Sequence, residues 1–410
     1  MQIKSLKHRM FWTWDHSMDW TPLTQGIQEW GASTPYFKKP GDFILDYTNL
    51  INFCAAHGFT GVVIYGFLRD GHGGIEAAQE VCRHGRAKNV GVIPGIGVNS
   101  YGGVYWEGKH EFNLLNWLDR HPELEAVGPT LARFNHYYRM ACPSKTENRR
   151  FMLDSVRWLC ETFDIGGINF ETGDNGLCQC ADCQKATSQN RNWSPEDIVT
   201  LLPPLVEEAQ KTRPGILPVC ECYFDSILDT ADHAPLRALP EGSILQFTNR
   251  EHEYLRRFLN EMTPEKVAAM PPHAKVLRTH IGSQWNDHRR KLVARDLSAT
   301  VKKVAEVGMD GVTLFGEVSA TSVVNEINYL SVAAFADSPA LTWDGFVART
   351  LGPLFGGEGQ AAKCIEFLEK TSVDAGDLQE AKAILHASGE RSYRRWLWMV
   401  EHLYQRLRRT

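Results

Sequence analysis

Two tryptophans run directly up to a carboxylate in the segment Phe11-Trp-Thr-Trp-Asp15-His16-Ser17. Indole surface beside a carboxyl disfavours its charged form and raises its pKa, the condition for a general acid near neutral pH. A second carboxylate ends a short apolar run before a sharp turn in Gly166-Gly-Ile-Asn-Phe-Glu171-Thr-Gly-Asp174. Glu221 and Glu317 close two further runs of the same kind. Two carboxyl groups facing a glycosidic bond divide its hydrolysis between them. One protonates the leaving oxygen, and the other activates water or attacks the anomeric carbon. Asp15 and Glu171 are therefore candidate catalytic groups. Against each stands a plainer reading, in which the carboxylate caps the turn that follows it.

A long excursion from Ser100 to Ser144 holds Tyr101-Gly-Gly-Val-Tyr-Trp106 and Arg133-Phe-Asn-His136-Tyr137-Tyr-Arg139. Long excursions in compact domains are usually binding loops or lids. His136, set among aromatics and two arginines, is a third catalytic candidate, acting as acid or base while an arginine holds an anionic substrate group. A lone loop histidine is more often structural. Candidate substrate contacts are Trp14, Tyr65, Asn99, Tyr101, Arg133, Tyr137, Arg139, Asp174, Glu221, Asn249, His280, Glu317 and Asn325. A competing site pairs Glu171 with Glu317 or Asp174 on a hexosamine or uronic acid. A metal-dependent hydrolase and a non-catalytic sugar-binding protein are the alternatives outside that chemistry.

Cys178-Gln-Cys180-Ala-Asp-Cys183 places three of the ten cysteines within one short segment, and Cys142 is a candidate fourth thiol across the loop. A structural zinc needs four such donors in a tetrahedron. Reduced thiols and a disulfide are the other readings. There is no HExxH pattern, so a catalytic zinc is not indicated, and the chemistry is expected to need no cofactor.

These residues need elements to position them. Eight short apolar runs alternate with helical patterns: Arg9–Trp14, Gly61–Tyr65, Val90–Pro94, Gly167–Phe170, Leu217–Cys222, Ser243–Phe247, Lys275–His280 and Gly311–Phe315. Runs this short and apolar suit strands buried on both faces. Between them, Asp42–His57 is stopped by Gly58, and Ser144-Lys-Thr-Glu147 resembles a capping box before Arg149–Thr162. Ser194-Pro195-Glu196-Asp197 opens another helix, and Asp287–Val307 and Ser322–Phe335 complete the series. The pattern predicts an α/β (β/α)8 TIM barrel over 1–340, with a loop at 100–144 after its third strand. A doubly wound sheet would put a glycine-rich loop after its first strand, where this chain has Trp-Asp-His-Ser. Helical spacing continues over Thr342–Leu351, Gln360–Thr371, Leu378–Ala387 and Ser392–Arg408, so 341–410 is expected as a helical extension packed on the barrel.

The 410 residues are 43% hydrophobic with a formal net charge of −5, and no basic run precedes the terminal Arg-Leu-Arg-Arg, which argues against nucleic-acid binding. No stretch reaches the length of a membrane span, and no apolar signal region is present. A cytoplasmic protein is the default expectation, with export left open. The expected partner is a carbohydrate, and a homodimer is compatible with the sequence.

Trp-Asp15-His-Ser, Ser100-Tyr-Gly-Gly-Val-Tyr, Ala141-Cys-Pro-Ser, Asn169-Phe-Glu171-Thr-Gly-Asp174 and Asn325-Glu-Ile-Asn-Tyr-Leu330 together resemble bacterial barrel glycosidases. The resemblance spans roughly residues 8–350 and is nearest to glycoside hydrolase family 156, inverting exo-sialidases. It implies catalytic roles for Asp15 and His136 without a covalent intermediate. It also implies polar contacts to a substrate carboxylate, with Arg133, Arg139, Arg191 and Asn325 as candidates. The chain is short at its C-terminus for that family.

Overall fold

The computed structural model describes residues 4–21, 36–128, 139–173, 176–188, 193–222, 227–230, 232–249, 252–280 and 291–408. All eight apolar runs form strands: β1 (His8–Trp14), β2 (Gly61–Tyr65), β3 (Gly91–Gly97), β4 (Gly167–Glu171), β5 (Leu217–Cys222), β6 (Ile244–Asn249), β7 (Ala274–Thr279) and β8 (Gly311–Phe315). They pair in parallel in chain order, and β8 pairs back onto β1, so the sheet closes into a barrel without edges.

Helices alternate with the strands. They are α1 (Pro40–His57), α2 (Gly74–Ala87), α3 (Leu114–Arg120), α4 (Thr146–Thr162), α5 (Ala181–Ala186), α6 (Pro195–Thr212), α7 (His252–Glu261), α8 (Pro264–Ala269), α9 (Ala294–Glu306) and α10 (Val323–Asp337). The alternation breaks once. Between β5 and β6 the described residues hold only a 3-10 turn, Ala234–Ala238. Local signals account for several ends. Gly58 stops α1 with φ 73°, and Ser194 with Asp197 forms a capping box ahead of Pro195 at the start of α6. The box expected at Ser144 does not form. Lys145 is the capping residue of α4 and makes no side-chain cap, while the Ser144 hydroxyl lies 3.1 Å from Cys142 Sγ.

The strands carry two apolar surfaces because successive side chains alternate across the sheet. Phe11, Val62, Ile64, Val92, Ile168, Phe170, Cys220 and Leu314 face the helices in one large buried cluster. Met10, Trp12, Trp14, Val63, Tyr65, Ile93, Val219, Ile244, Val276 and Phe315 fill the barrel interior in a second. Beyond α10 lie α11 (Trp343–Phe346), a π-turn at Val347–Leu351, α12 (Gly352–Phe355), α13 (Glu358–Glu369), α14 (Ala375–Ala387) and α15 (Glu390–Leu407). Their Phe346, Leu351, Phe355, Trp396, Met399 and Leu403 belong to the same buried cluster as the barrel's outer face. Arg395 of α15 holds this contact together, donating to both oxygens of the buried Glu326 on α10 at 2.8 and 2.6 Å.

Close packing at one glycine carries the site's floor. A Cβ added to Gly95 of β3 would overlap the ring of Tyr65 on the neighbouring strand, and that ring is fully buried. Gly95→Ala is therefore expected to destabilise the fold by about 1–3 kcal/mol through overpacking, read as a lowered urea midpoint; an unchanged midpoint would show that Tyr65 can move aside.

Candidate active site

At the end of β1 the chain leaves Trp14 and turns through a 3-10 segment, Asp15–Ser17. Trp14 faces the barrel interior, so Asp15 follows on the side of α1, and its carboxylate is completely buried. Lys38, itself 5% exposed, approaches Asp15 Oδ1 at 3.1 Å and donates to the Asp15 carbonyl at 2.6 Å. Its ammonium also lies 3.0 Å from Asp46 on α1, whose other oxygen accepts from Thr21 at 2.7 Å. The Tyr36 hydroxyl donates to Asp15 Oδ2. Burial pushes the Asp15 pKa up, but Lys38, His72, Arg69 and the Tyr36 hydrogen bond together outweigh it and hold the carboxyl below its ordinary value. This reverses the direction expected from the tryptophans alone. Asp15 is a carboxylate at neutral pH, and the cause is a cation brought from beyond the strand.

Cations and neutral histidines line the wall beside it. Arg69 is fully buried after β2, donates to Glu107, and lies with its guanidinium 4.5 Å from the Tyr36 ring and 5.5 Å from Trp106. Its Nη2 sits 3.1 Å from His16 Nδ1. Burial first, and then Arg69, drive the His16 pKa well below that of a free imidazole. His72 stacks on Phe43 at 3.8 Å, and burial holds its pKa down at about 4 despite the neighbouring Asp15. Both imidazoles are neutral at pH 7 and do not compete with Lys38 for the carboxylate.

Inside the barrel the inward positions of several strands become polar toward their carboxyl ends. Glu221 Oε2 accepts from Gln246 at 2.6 Å, its Oε1 accepts from Thr248, and Arg278 Nη2 lies 3.5 Å away. Gln246 in turn accepts from Thr313 at 2.7 Å, and the Arg278 guanidinium stacks 4.7 Å over Trp12. This network ties β5, β6, β7, β8 and β1 across the lumen. The Glu221 carboxylate is thus engaged by three side chains and acts as the partner of a buried arginine.

Glu171 ends β4 at an inward position, buried, with its carbonyl accepting from Val98 at 2.7 Å. Tyr65 donates to Asn169 at 3.0 Å, and burial together with Glu171 and Glu221 pushes the Tyr65 pKa well up. Around them lies an aromatic floor. Trp14 contacts Trp12 and Tyr65 at 5.2 Å and Trp106 at 5.5 Å, and Tyr101 stacks on Trp106 at 5.9 Å. Tyr101 has φ 53°, a left-handed conformation that costs a non-glycine residue strain and is found preferentially at functional sites.

Three candidate contacts carry unsatisfied amides at this end of the barrel. Asn99 after β3, Asn249 ending β6 and Asn325 in the first turn of α10 are buried, and among the described residues neither polar atom of the first two, nor Nδ2 of the third, has a hydrogen-bond partner. Buried amides normally find partners, so unsatisfied amide atoms on three elements of the barrel are unusual. Glu317 accepts from the Trp14 amide at 3.3 Å, and His280 packs against Phe315 at 4.7 Å. Arg139 is placed differently. Its Nε and Nη2 serve Glu125 at 3.1 and 2.8 Å and its Nη1 serves Asp119, so its donors are taken by acidic side chains. His136, Arg133, Tyr137, Asp174 and Arg191 lie outside the described residues.

In fold, the chain is similar to α-amylase barrels. The α-amylase of Geobacillus thermoleovorans, solved with acarbose, matches over 80% of this chain and 78% of its own at 10% identity, with a TM-score of 0.53. The Anoxybacillus α-amylase matches over 82% and 79% at 11% identity, with a TM-score of 0.52. No family model and no curated protein matches the sequence.

Sequence reasoning did not single out Tyr36, Lys38, His72 or Arg278. Arg278 was readable as a charged residue at an inward position of an apolar strand. Lys38 had no such signal, because its partners lie elsewhere in the chain. The Lys38 ammonium between two buried carboxylates gives a direct test. Lys38→Met should cost about 3–5 kcal/mol at pH 7 by leaving uncompensated buried charge. The lowered Asp15 pKa stabilises the fold above the ordinary carboxylate range, and that contribution is lost as pH falls through the folded value. The gap between wild type and variant, measured by urea denaturation, should therefore narrow below about pH 4. A gap independent of pH would contradict the ion pair.

Proposed function

We propose that the chain is a glycoside hydrolase working at the carboxyl end of its barrel, with Asp15 as the base. The observation that carries this reading is a buried, ionised Asp15 that follows Trp14 of the aromatic floor, together with buried amide atoms of Asn99, Asn249 and Asn325 that lack partners among the described residues. Aromatic planes suit the C–H faces of a sugar ring, amides suit its hydroxyls, and a carboxylate suits the proton of an attacking water. In the inverting reaction, water bonds to the anomeric carbon and gives its proton to Asp15 while the glycosidic C–O bond breaks. The departing oxygen needs a proton, which we assign to His136 on the strength of the motif likeness to family 156. The same likeness favours a terminal acidic sugar, with a sialoside first. The buried guanidinium groups of Arg69 and Arg278 at this end of the barrel are compatible with an anionic substrate.

A second reading has its own support. Glu171 and Glu317 both continue the inward alternation of their strands, whereas Asp15 sits on a turn. A pair of these carboxylates would act on a neutral or N-acetylated sugar. A panel of fluorogenic glycosides including a sialoside, assayed on wild type, Asp15→Asn, His136→Ala and Glu171→Gln, separates the two. The leading reading predicts sialoside cleavage, with kcat lowered about 10²–10⁴-fold by either of the first two substitutions. Cleavage of a hexosaminide that survives Asp15→Asn but not Glu171→Gln would replace it with the second.

A further inference from the structure

The four thiols Cys142, Cys178, Cys180 and Cys183 come from two separate excursions. Cys142 closes the long segment between β3 and α4, and the other three lie between β4 and α6. Their sulfurs all fall within 4.8 Å of one another. Cys142 Sγ is 3.6 Å from Cys178, 3.7 Å from Cys180 and 3.7 Å from Cys183. A disulfide would require about 2.05 Å. Four thiolates about 2.3 Å from one zinc ion stand about 3.8 Å apart along each edge of their tetrahedron. The observed separations match the second arrangement and leave one sulfur equidistant from three others, which pairwise disulfide bonding does not produce.

The surroundings are those of a metal-thiolate centre. The Val127 amide donates to Cys178 Sγ at 3.3 Å, and the Ser144 hydroxyl lies 3.1 Å from Cys142 Sγ and 3.7 Å from Cys180 Sγ. Outer donors of this kind orient thiolate ligands and offset their charge. Four thiolates gathered this closely repel one another, and a divalent cation at their centre offsets that charge. We propose that these cysteines bind one structural zinc ion, which clamps the β3 excursion to the β4 loop. All four positions are protein thiolates, so the site is closed to substrate and water and takes no part in the chemistry of Asp15.

The clamp reaches the candidate active site through backbone. The amide of Ala141, next to Cys142, donates to the carbonyl of Asn99 at 2.8 Å, and Cys142 itself donates to Leu124 at 2.9 Å. On the other side, Gln179 donates to Val127 at 2.6 Å. Asn99 carries one of the amides without partners, and His136 belongs to the same excursion. The inference does not depend on the reaction proposed above, because it rests on sulfur geometry alone.

The full chain, produced with zinc in the medium and purified without chelator, provides the test. Metal analysis should find about one zinc per chain, and titration with a mercurial should release it as the four thiols react. Exchange for cobalt should give the intense visible bands of a tetrahedral thiolate site. The double variant Cys180→Ser/Cys183→Ser should lose the metal and melt at lower temperature, whereas Cys364→Ala, on α13, should retain it. The wild-type measurements stand alone if the double variant does not fold. Wild type without metal, with thiols that react at the same rate with or without added zinc, would overturn the proposal. So would iron in place of zinc, or a disulfide within the cluster.

Discussion

The ammonium of Lys38 lies between two fully buried carboxylates, Asp15 at 3.1 Å and Asp46 at 3.0 Å. Burial of Asp15 without it would favour the protonated acid. With it, the end of β1, the loop ahead of α1 and the body of α1 are joined through one charge. The same contact sets the protonation state of the residue on which the proposed chemistry turns. A carboxylate beside two tryptophans reads as a general acid until the cation is placed. With the cation, the group is a carboxylate at neutral pH.

Closure of the barrel gives this local arrangement its surroundings. Parallel strands all end on the same side of the barrel, so groups far apart in sequence meet there, as where Glu317 accepts from the Trp14 amide. The lumen below is filled by Trp12, Tyr65, Val219, Ile244, Val276 and Phe315, with the Glu221–Arg278 network above them. An ion pair enclosed in this way is weak evidence for stability, since its desolvation offsets its attraction. Its hydrogen bonds to Gln246 and Thr248 do fix both side chains, and they keep Arg278 flat against Trp12. Rigid neighbours of this kind hold a site to its geometry.

Much of this was legible in the sequence, for reasons that differ by residue. The eight strands were readable because each is a short apolar run buried on both faces, a signal that is local. The positions of Glu171, Glu221 and Glu317 followed from strand ends, as did those of Asn99 and Asn249, whereas Asn325 was read from the start of the helix after the eighth strand. The roles were harder. Glu221 and Arg139 are drawn into ion pairs with Arg278, Glu125 and Asp119, partners that spacing does not reveal. Ser144 has the pattern of a helix cap, yet its hydroxyl sits among sulfurs that folding brings from the next loop. Lys38 is the clearest case. A lysine ahead of a helix is ordinary in sequence, and its effect appears only once Asp15 and Asp46 are beside it.

The charge on Asp15 can be observed without knowing the substrate. Carboxyl carbon NMR of protein labelled at aspartate, with the Asp15 signal assigned by loss in Asp15→Asn, follows its protonation directly. The account predicts that Asp15 remains ionised from neutral pH down through the ordinary carboxylate range, near pH 4, and takes up its proton only below it. A signal that titrates near or above neutrality would contradict the account, and would return Asp15 to the role of an acid.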